Sequence, residues 1–203
     1  MIYTALTIRA MQIACEAHAG QVDKCDTPYV FHPYHLAEQM PDEVTTCVAL
    51  LHDVVEDTAI TLDELEREFP PEVTEALRLL MHGPVVPYRD YIDALVVDPV
   101  ACTVKHAALM HDLDETRFEG CGHIDEAELA RRRERCRAAL EVLDEGEQFS
   151  HMLEHRSEVA AADIEAACLT PLAGSAFEEF RSMLDAPLPE STRELLAREE
   201  IWV

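Results

Sequence analysis

Glycine is scarce, at 6 of 203 residues, and no run of alternating β-branched residues occurs. An all-β sandwich or barrel needs both, as turn residues and as half-buried strands, so these folds are excluded. Lysine occurs only twice, at Lys24 and Lys105, and 16 basic residues face 41 acidic ones, a formal net charge of -25. Such a surface repels nucleic acid and anionic membranes, so neither is expected as a partner. It also repels small anionic substrates unless a local site reverses the field. No uncharged apolar run approaches the roughly 18 residues of a membrane span. The first residues carry Arg9 and Glu16 inside an apolar stretch, which reads as an amphipathic helix and not as a signal peptide; a cytoplasmic protein is expected. The seven cysteines are odd in number and none stands in a C-x-x-C spacing. That argues against a disulfide framework or a zinc knuckle, and reduced thiols are expected, several on buried helix faces.

Apolar residues make up 48 % of the chain, enough for a packed core. Helical periodicity dominates and predicts an all-α bundle. A first helix is expected over 4–19, closed by Gly20. A loop with Pro28 and Pro33 covers 21–34, a short helix runs from His35 to Met40, and a strong helix covers 42–57. Thr61 and Glu64 form a capping box for a helix to Phe69. Further helices are expected at 71–81 and 88–96, and from Pro99, capped by Asp98, to Asp114. A charged, partly exposed helix covers 125–143. Gly146 marks a boundary, dividing a domain at 1–145 from a helical extension at 146–203 with helices near 151–168, 174–184 and 191–201.

The chemistry concentrates in Ala49-Leu50-Leu51-His52-Asp53-Val54-Val55-Glu56-Asp57-Thr58. On a helix, His52 and Glu56 stand one turn apart, as do Asp53 and Asp57, which puts four polar groups on one face of an apolar helix. An imidazole beside a carboxylate suits a divalent cation such as Mn²⁺, Fe²⁺ or Zn²⁺. The second pair of carboxylates is placed to polarise water or to accept its proton. An ordinary acidic helix face would look similar. A second segment, His18-Ala19-Gly20-Gln21-Val22-Asp23-Lys24 continuing to Pro28-Tyr29-Val30-Phe31-His32-Pro33, fixes a histidine between aromatics and a proline.

These two runs resemble the hydrolase domain of RelA/SpoT-type proteins, and especially the stand-alone small alarmone hydrolases, whose motifs read H-x-G-Q-x-x-K/R, P-Y-x-x-H-P and L-L-H-D-x-x-E-D-T. A third family motif, V-K-L-A-D-x-x-x-N, corresponds to Val104-Lys105-His106-Ala107-Ala108-Leu109-Met110-His111-Asp112, and Tyr88 with Tyr91-Ile92 matches a Y-x-x-Y-I segment before it. The resemblance is closest over 18–58, weaker over 59–118, and gone by about 145. It implies an HD-domain helical bundle in which His32, His52 and Asp53 bind one metal ion, typically Mn²⁺. Glu56 and Asp57 would activate water and handle protons. Lys24, Lys105 and Tyr88 would contact a phosphorylated nucleotide. The implied reaction removes the 3′-pyrophosphate of (p)ppGpp. No synthetase domain is expected, and a homo-oligomer is compatible.

The chain departs from the family at one critical position. The family's fourth metal ligand, the aspartate of V-K-L-A-D, is Ala108 here, and its asparagine is Asp112. Helical positions 108 and 112 share a face about 6 Å apart. Asp112 is therefore expected to reach the metal; the alternative is a degraded site on a protein that binds a nucleotide without cleaving it. His111 matches a histidine common in stand-alone relatives and is placed to assist. A two-metal HD phosphatase or oxygenase is a third reading, but His82, His106 and His111 form no pattern for it. His151 and His155, and the arginines from Arg131 to Arg135, are expected on exposed helix faces.

Overall fold

In the computed structural model the described residues are 1–83, 85–118, 121 and 125–166, with side chains described to Gly146. They are helical, and the only strand-like pairing among them is an isolated antiparallel bridge between Val22 and Pro28. The all-α expectation holds. None of the described helices is long and apolar enough to cross a membrane.

The organising element is α3 (Glu43–Leu51). Asp42 caps it by accepting from the Thr45 amide at 2.8 Å. Every residue from Thr45 to Leu51 is buried, as a helix apolar on all sides requires. It packs against α1 (Ala5–Ala17), α2 (Phe31–Gln39), α6 (Pro71–Leu80) and α8 (Pro99–Leu113). α7 (Tyr88–Leu95) and α8 in turn pack on α9 (Glu126–Ala166). The core this builds includes Leu36, Val48, Leu50, Leu51, Leu77, Ile92, Val104 and Leu143, each at most 1 % exposed.

Several expected boundaries fall where sequence chemistry puts them. Thr4 caps α1, which ends at Ala17 with His18 as its C-cap, two residues short of the expected end; Gly20, at φ +81°, turns the chain after it in the left-handed region that glycine enters without penalty. Pro99 opens α8 behind Asp98, whose side chain accepts from the Ala101 amide at 2.8 Å.

Other boundaries differ. The loop expected to run to residue 34 ends at Val30, and His32 lies in the first turn of α2. Pro33 marks no break, because first-turn amides have no intrahelical partner and proline costs nothing there. The helix expected over 42–57 is interrupted. α3 stops at Leu51, His52 and Asp53 form a turn, and α4 spans Val54–Asp57. Asp53 sits at φ -92°, ψ -9°, in the bridge region common at active sites. The capping box at Thr61 is present, but its helix α5 is one turn, Leu62–Leu65.

At the C-terminal end, α9 passes through Gly146 without a break, so the helix expected from 151 continues the one expected to end at Leu143. Gly146 is the residue that lets α9 approach α7, since a Cβ there would run into the Val96 side chain. The helices expected near 174–184 and 191–201 lie outside the described residues, as do the side chains of His151 and His155.

The cysteine reading needs one correction. Cys47, Cys102 and Cys136 are buried thiols as expected, but Cys25 and Cys121 are paired as a disulfide with Cα atoms 5.5 Å apart, inside the normal range. They stand 96 residues apart, so no local spacing announces them.

Candidate active site

Three segments converge on one cavity of about 500 Å³, which Arg132 of α9 also lines. The first is the ribbon from Gln21 to Tyr29. Asp23 pins its turn by accepting from the amides of Cys25 (2.8 Å) and Thr27 (3.0 Å), and Gln21 ties it to α4 through the Asp57 carbonyl at 3.0 Å. This ribbon delivers Tyr29 and leads into the first turn of α2, which carries His32. The second segment is the turn between α3 and α4, with His52 and Asp53. The third is the C-terminal half of α8, with Lys105, Ala108, His111 and Asp112, followed by Arg117.

His32, His52 and Asp53 offer ligand atoms within 4.8 Å of one another. His52 is 9 % exposed, and its Nδ1 faces the Ala49 carbonyl at 2.9 Å. A carbonyl only accepts, so Nδ1 carries the proton and Nε2 is left with a lone pair. That lone pair faces Asp53 Oδ1 at 3.1 Å, and His32 Nε2 lies 3.7 Å from Asp53 Oδ2. Two acceptors at 3.1 Å need a proton or a cation between them. The donor set, two imidazoles and a carboxylate, fits a divalent ion with an open position.

The protonation states fit as well. Burial, then His52, holds the His32 pKa down to about 3. Burial and Arg117 lower that of His111 to about 4. Both rings are neutral at pH 7, the state in which an imidazole can ligate a metal. For Asp53, burial pushes upward, but His52, His32, the Tyr29 hydroxyl and Lys105 outweigh it and hold the carboxyl below the usual range. The Tyr29 hydroxyl donates to Asp53 Oδ2 at 2.5 Å and is itself held far above an ordinary phenol by burial and Asp53; it stays a donor at any physiological pH.

Asp57 behaves oppositely. Burial and the neighbouring Asp53 raise its pKa, which makes it the more basic carboxylate of the pair. Glu56 accepts a hydrogen bond from the His82 amide. Both Glu56 and Asp57 are exposed at the edge of the site and do not line the cavity.

The remaining expected residues divide. Lys105 lines the cavity with its Nζ 5.1 Å from the Tyr91 ring centroid; burial lowers its pKa against the pull of Asp53, Glu56 and Asp112. Lys24 is turned outward and paired with Glu128, and Tyr88 packs under Arg135 and beside His82 and Tyr91; neither lines the cavity. Asp112 lines the cavity but is not one of the three grouped ligands. Its Oδ1 is held by Arg132 at 2.6 Å and by Arg117 at 3.5 Å. Burial raises the Asp112 pKa, but these guanidinium groups and His32 bring it below the ordinary value.

Arg117 and Arg132 carry no role in the sequence reading, which places the arginines of α9 on a solvated face. Arg132 has a side chain only 24 % exposed. The signal that finds it is tertiary, because α9 packs on α8.

Residues 10–80 match the family described as HD domain. The probable GTP pyrophosphokinase of Mycobacterium leprae is 34 % identical over 125 residues, which covers 54 % of this chain and 16 % of that protein. The bifunctional (p)ppGpp synthase/hydrolase SpoT of Escherichia coli K12 is 36 % identical over 90 residues, 42 % of this chain and 13 % of its own. The chain thus spans no more than about a sixth of the length of these relatives. Among solved structures, a metazoan ortholog of SpoT described as hydrolysing ppGpp superposes with a TM-score of 0.60 at 22 % identity, covering 70 % of this chain and 88 % of that one; at that identity the match speaks for the fold. Residues 10–80 are therefore similar to the HD domain, and the chain is similar in sequence to RelA/SpoT-type proteins.

Proposed function

We propose that this chain is a metal-dependent phosphohydrolase that removes pyrophosphate from a guanosine nucleotide bearing a 3′-pyrophosphate, (p)ppGpp being the first candidate. The convergence of His32, His52 and Asp53 carries this reading. A divalent ion held there, Mn²⁺ in the first instance with Fe²⁺ or Zn²⁺ also suited to the donors, would act as a Lewis acid on water and on a phosphate oxygen.

The chain's own residues supply the rest. Lys105, Arg117 and Arg132 line the cavity beside Asp23, Glu38, Asp53 and Asp112, so its charge is close to balanced in a protein of net charge -25, and a divalent ion held there would add the positive charge an anionic substrate needs. Asp57, whose carboxyl pKa is raised by burial and by Asp53, takes the proton of the attacking water, and Glu56 orients that water or protonates the leaving group. Tyr29 holds Asp53 in place through its hydroxyl.

The test is direct. Metal-loaded protein incubated with ppGpp should release GDP and pyrophosphate in equal amounts, and Asp53→Asn should not. Stoichiometric ppGpp binding without product release, with metal demonstrably bound, would contradict the enzyme reading and indicate a nucleotide-binding protein instead.

A further inference from the structure

The ribbon from Gln21 to Tyr29 holds α4 at both ends. At the start of α4 the Tyr29 hydroxyl donates to Asp53. At its end Gln21 Nε2 donates to the Asp57 main-chain carbonyl at 3.0 Å. The two holding residues are joined to each other, since the Tyr29 amide donates to the Gln21 carbonyl at 3.0 Å. α4 has only four residues. One turn of helix has no stability of its own, and the last carbonyls of a helix have no intrahelical partner. The direction in which Asp57 points is therefore set by what holds this turn from outside.

The orientation of the Gln21 amide follows from its partners. A carbonyl only accepts, so the Gln21 side-chain nitrogen faces Asp57 and its oxygen faces away. Gln21 Oε1 then lies 2.8 Å from His18 Nδ1. An amide oxygen also only accepts, so His18 is the donor. The His18 ring is buried, and its Nε2 meets no hydrogen-bond partner among the described residues; the polar contact it makes there is the one that holds Gln21. Local sequence builds this pair. His18-Ala19-Gly20-Gln21 is a turn closed by the Gln21 amide on the His18 carbonyl at 3.0 Å, with Gly20 at the positive φ such a turn needs.

We infer that Gln21, oriented by His18, is a positioning residue for Asp57: it caps the end of α4 and so aims the carboxylate that takes the proton of the attacking water. The inference rests on the role given to Asp57 above. Gln21 itself does not line the cavity, so its loss should act on turnover and leave metal and substrate binding intact. A misplacement of about 1 Å is enough to cost about 10²-fold in rate.

Gln21→Glu keeps the length of the side chain and replaces the donor to Asp57 by a carboxylate oxygen. In the full chain loaded with Mn²⁺ it should lower kcat for ppGpp about 10–100-fold, with KM and Mn²⁺ affinity within about twofold of parent. In an Asp57→Asn background the same substitution should cost nothing more, because residues that act as a unit are not additive. His18→Asn keeps an N–H near the place of Nδ1 and should be more active than His18→Ala. A kcat within about twofold of parent in Gln21→Glu, or an equal loss in both backgrounds, would overturn the inference. A second readout needs no turnover. In metal-free protein the Asp57 amide, which donates to the Asp53 carbonyl at 2.9 Å, should exchange with deuterium about 2–10-fold faster in Gln21→Glu, the scale of one hydrogen bond. An unchanged exchange rate would also overturn the inference. Faster exchange in a protein whose parent hydrolyses no ppGpp would uphold the hold on Asp57 and refute the hydrolase reading.

Discussion

Removing His32 should make the metal-free protein less sensitive to acid. His32 has a side chain only 15 % exposed, and burial beside His52 holds its pKa to about 3, against about 6.5 in an unfolded chain. The unfolded state therefore binds the proton first. Stability is unaffected above pH 6.5, falls as pH drops from there toward 3, and levels off below the folded value. At pH 5 the unfolded ring is mostly charged and the folded one is not. The difference amounts to about 2 kcal/mol, a large share of a typical 5–15 kcal/mol. His111, at about 4, acts in the same direction. Asp53 and Asp112, both held low, contribute stability that is lost only as pH falls below the ordinary carboxylate value near 3.9, outside this window.

Urea unfolding in the presence of a chelator at pH 7 and pH 5 measures the effect. The loss of stability between the two should be about 2 kcal/mol smaller in His32→Gln than in parent. An equal loss in both would show that His32 is not buried as a neutral ring, and the ligand assignment would lose its electrostatic basis.

Ala108 is 8 % exposed and lines the cavity with His52 and Asp53; Ala108→Asp should raise Mn²⁺ affinity by about tenfold or more, since even supporting groups act on that scale, and calorimetric titration showing no gain would mean the position does not face the ion. Glu56→Gln should keep the metal and lose about 10² to 10⁴ in hydrolysis, the usual cost of a removed acid or base, whereas turnover within twofold of parent would remove Glu56 from the mechanism. Leu77, 1 % exposed on α6, should cost about 2–5 kcal/mol on replacement by alanine with metal stoichiometry unchanged, read by urea unfolding and metal analysis.

The parts of this molecule that sequence reveals are those specified locally. The caps at Asp98 and Thr61 and the left-handed turn at Gly20 each depend on a few adjacent residues, and each is present. The grouping of His32, His52 and Asp53 was legible because two sit side by side and the third lies in a distinctive proline-flanked segment. What stayed hidden is set by tertiary packing. The break at His52–Asp53 coincides with the His52 ring taking the Ala49 carbonyl that an unbroken helix gives to the Asp53 amide. Arg132 reaches Asp112 only because α9 lies across α8, and Cys25 meets Cys121 only when the ribbon and the segment after α8 come together. Asp112 is instructive for the same reason: its spacing from position 108 points to the metal, but the guanidinium groups that engage it arrive from elsewhere in the fold.

The central claim is that His32, His52 and Asp53 hold one divalent ion, and Mn²⁺ binding followed by electron paramagnetic resonance tests it most directly. Parent protein should bind one ion per chain, and His52→Ala and Asp53→Ala should bind none at the same concentrations while keeping parental helix content by circular dichroism. One ion per chain in all three proteins would contradict the account and place the metal elsewhere.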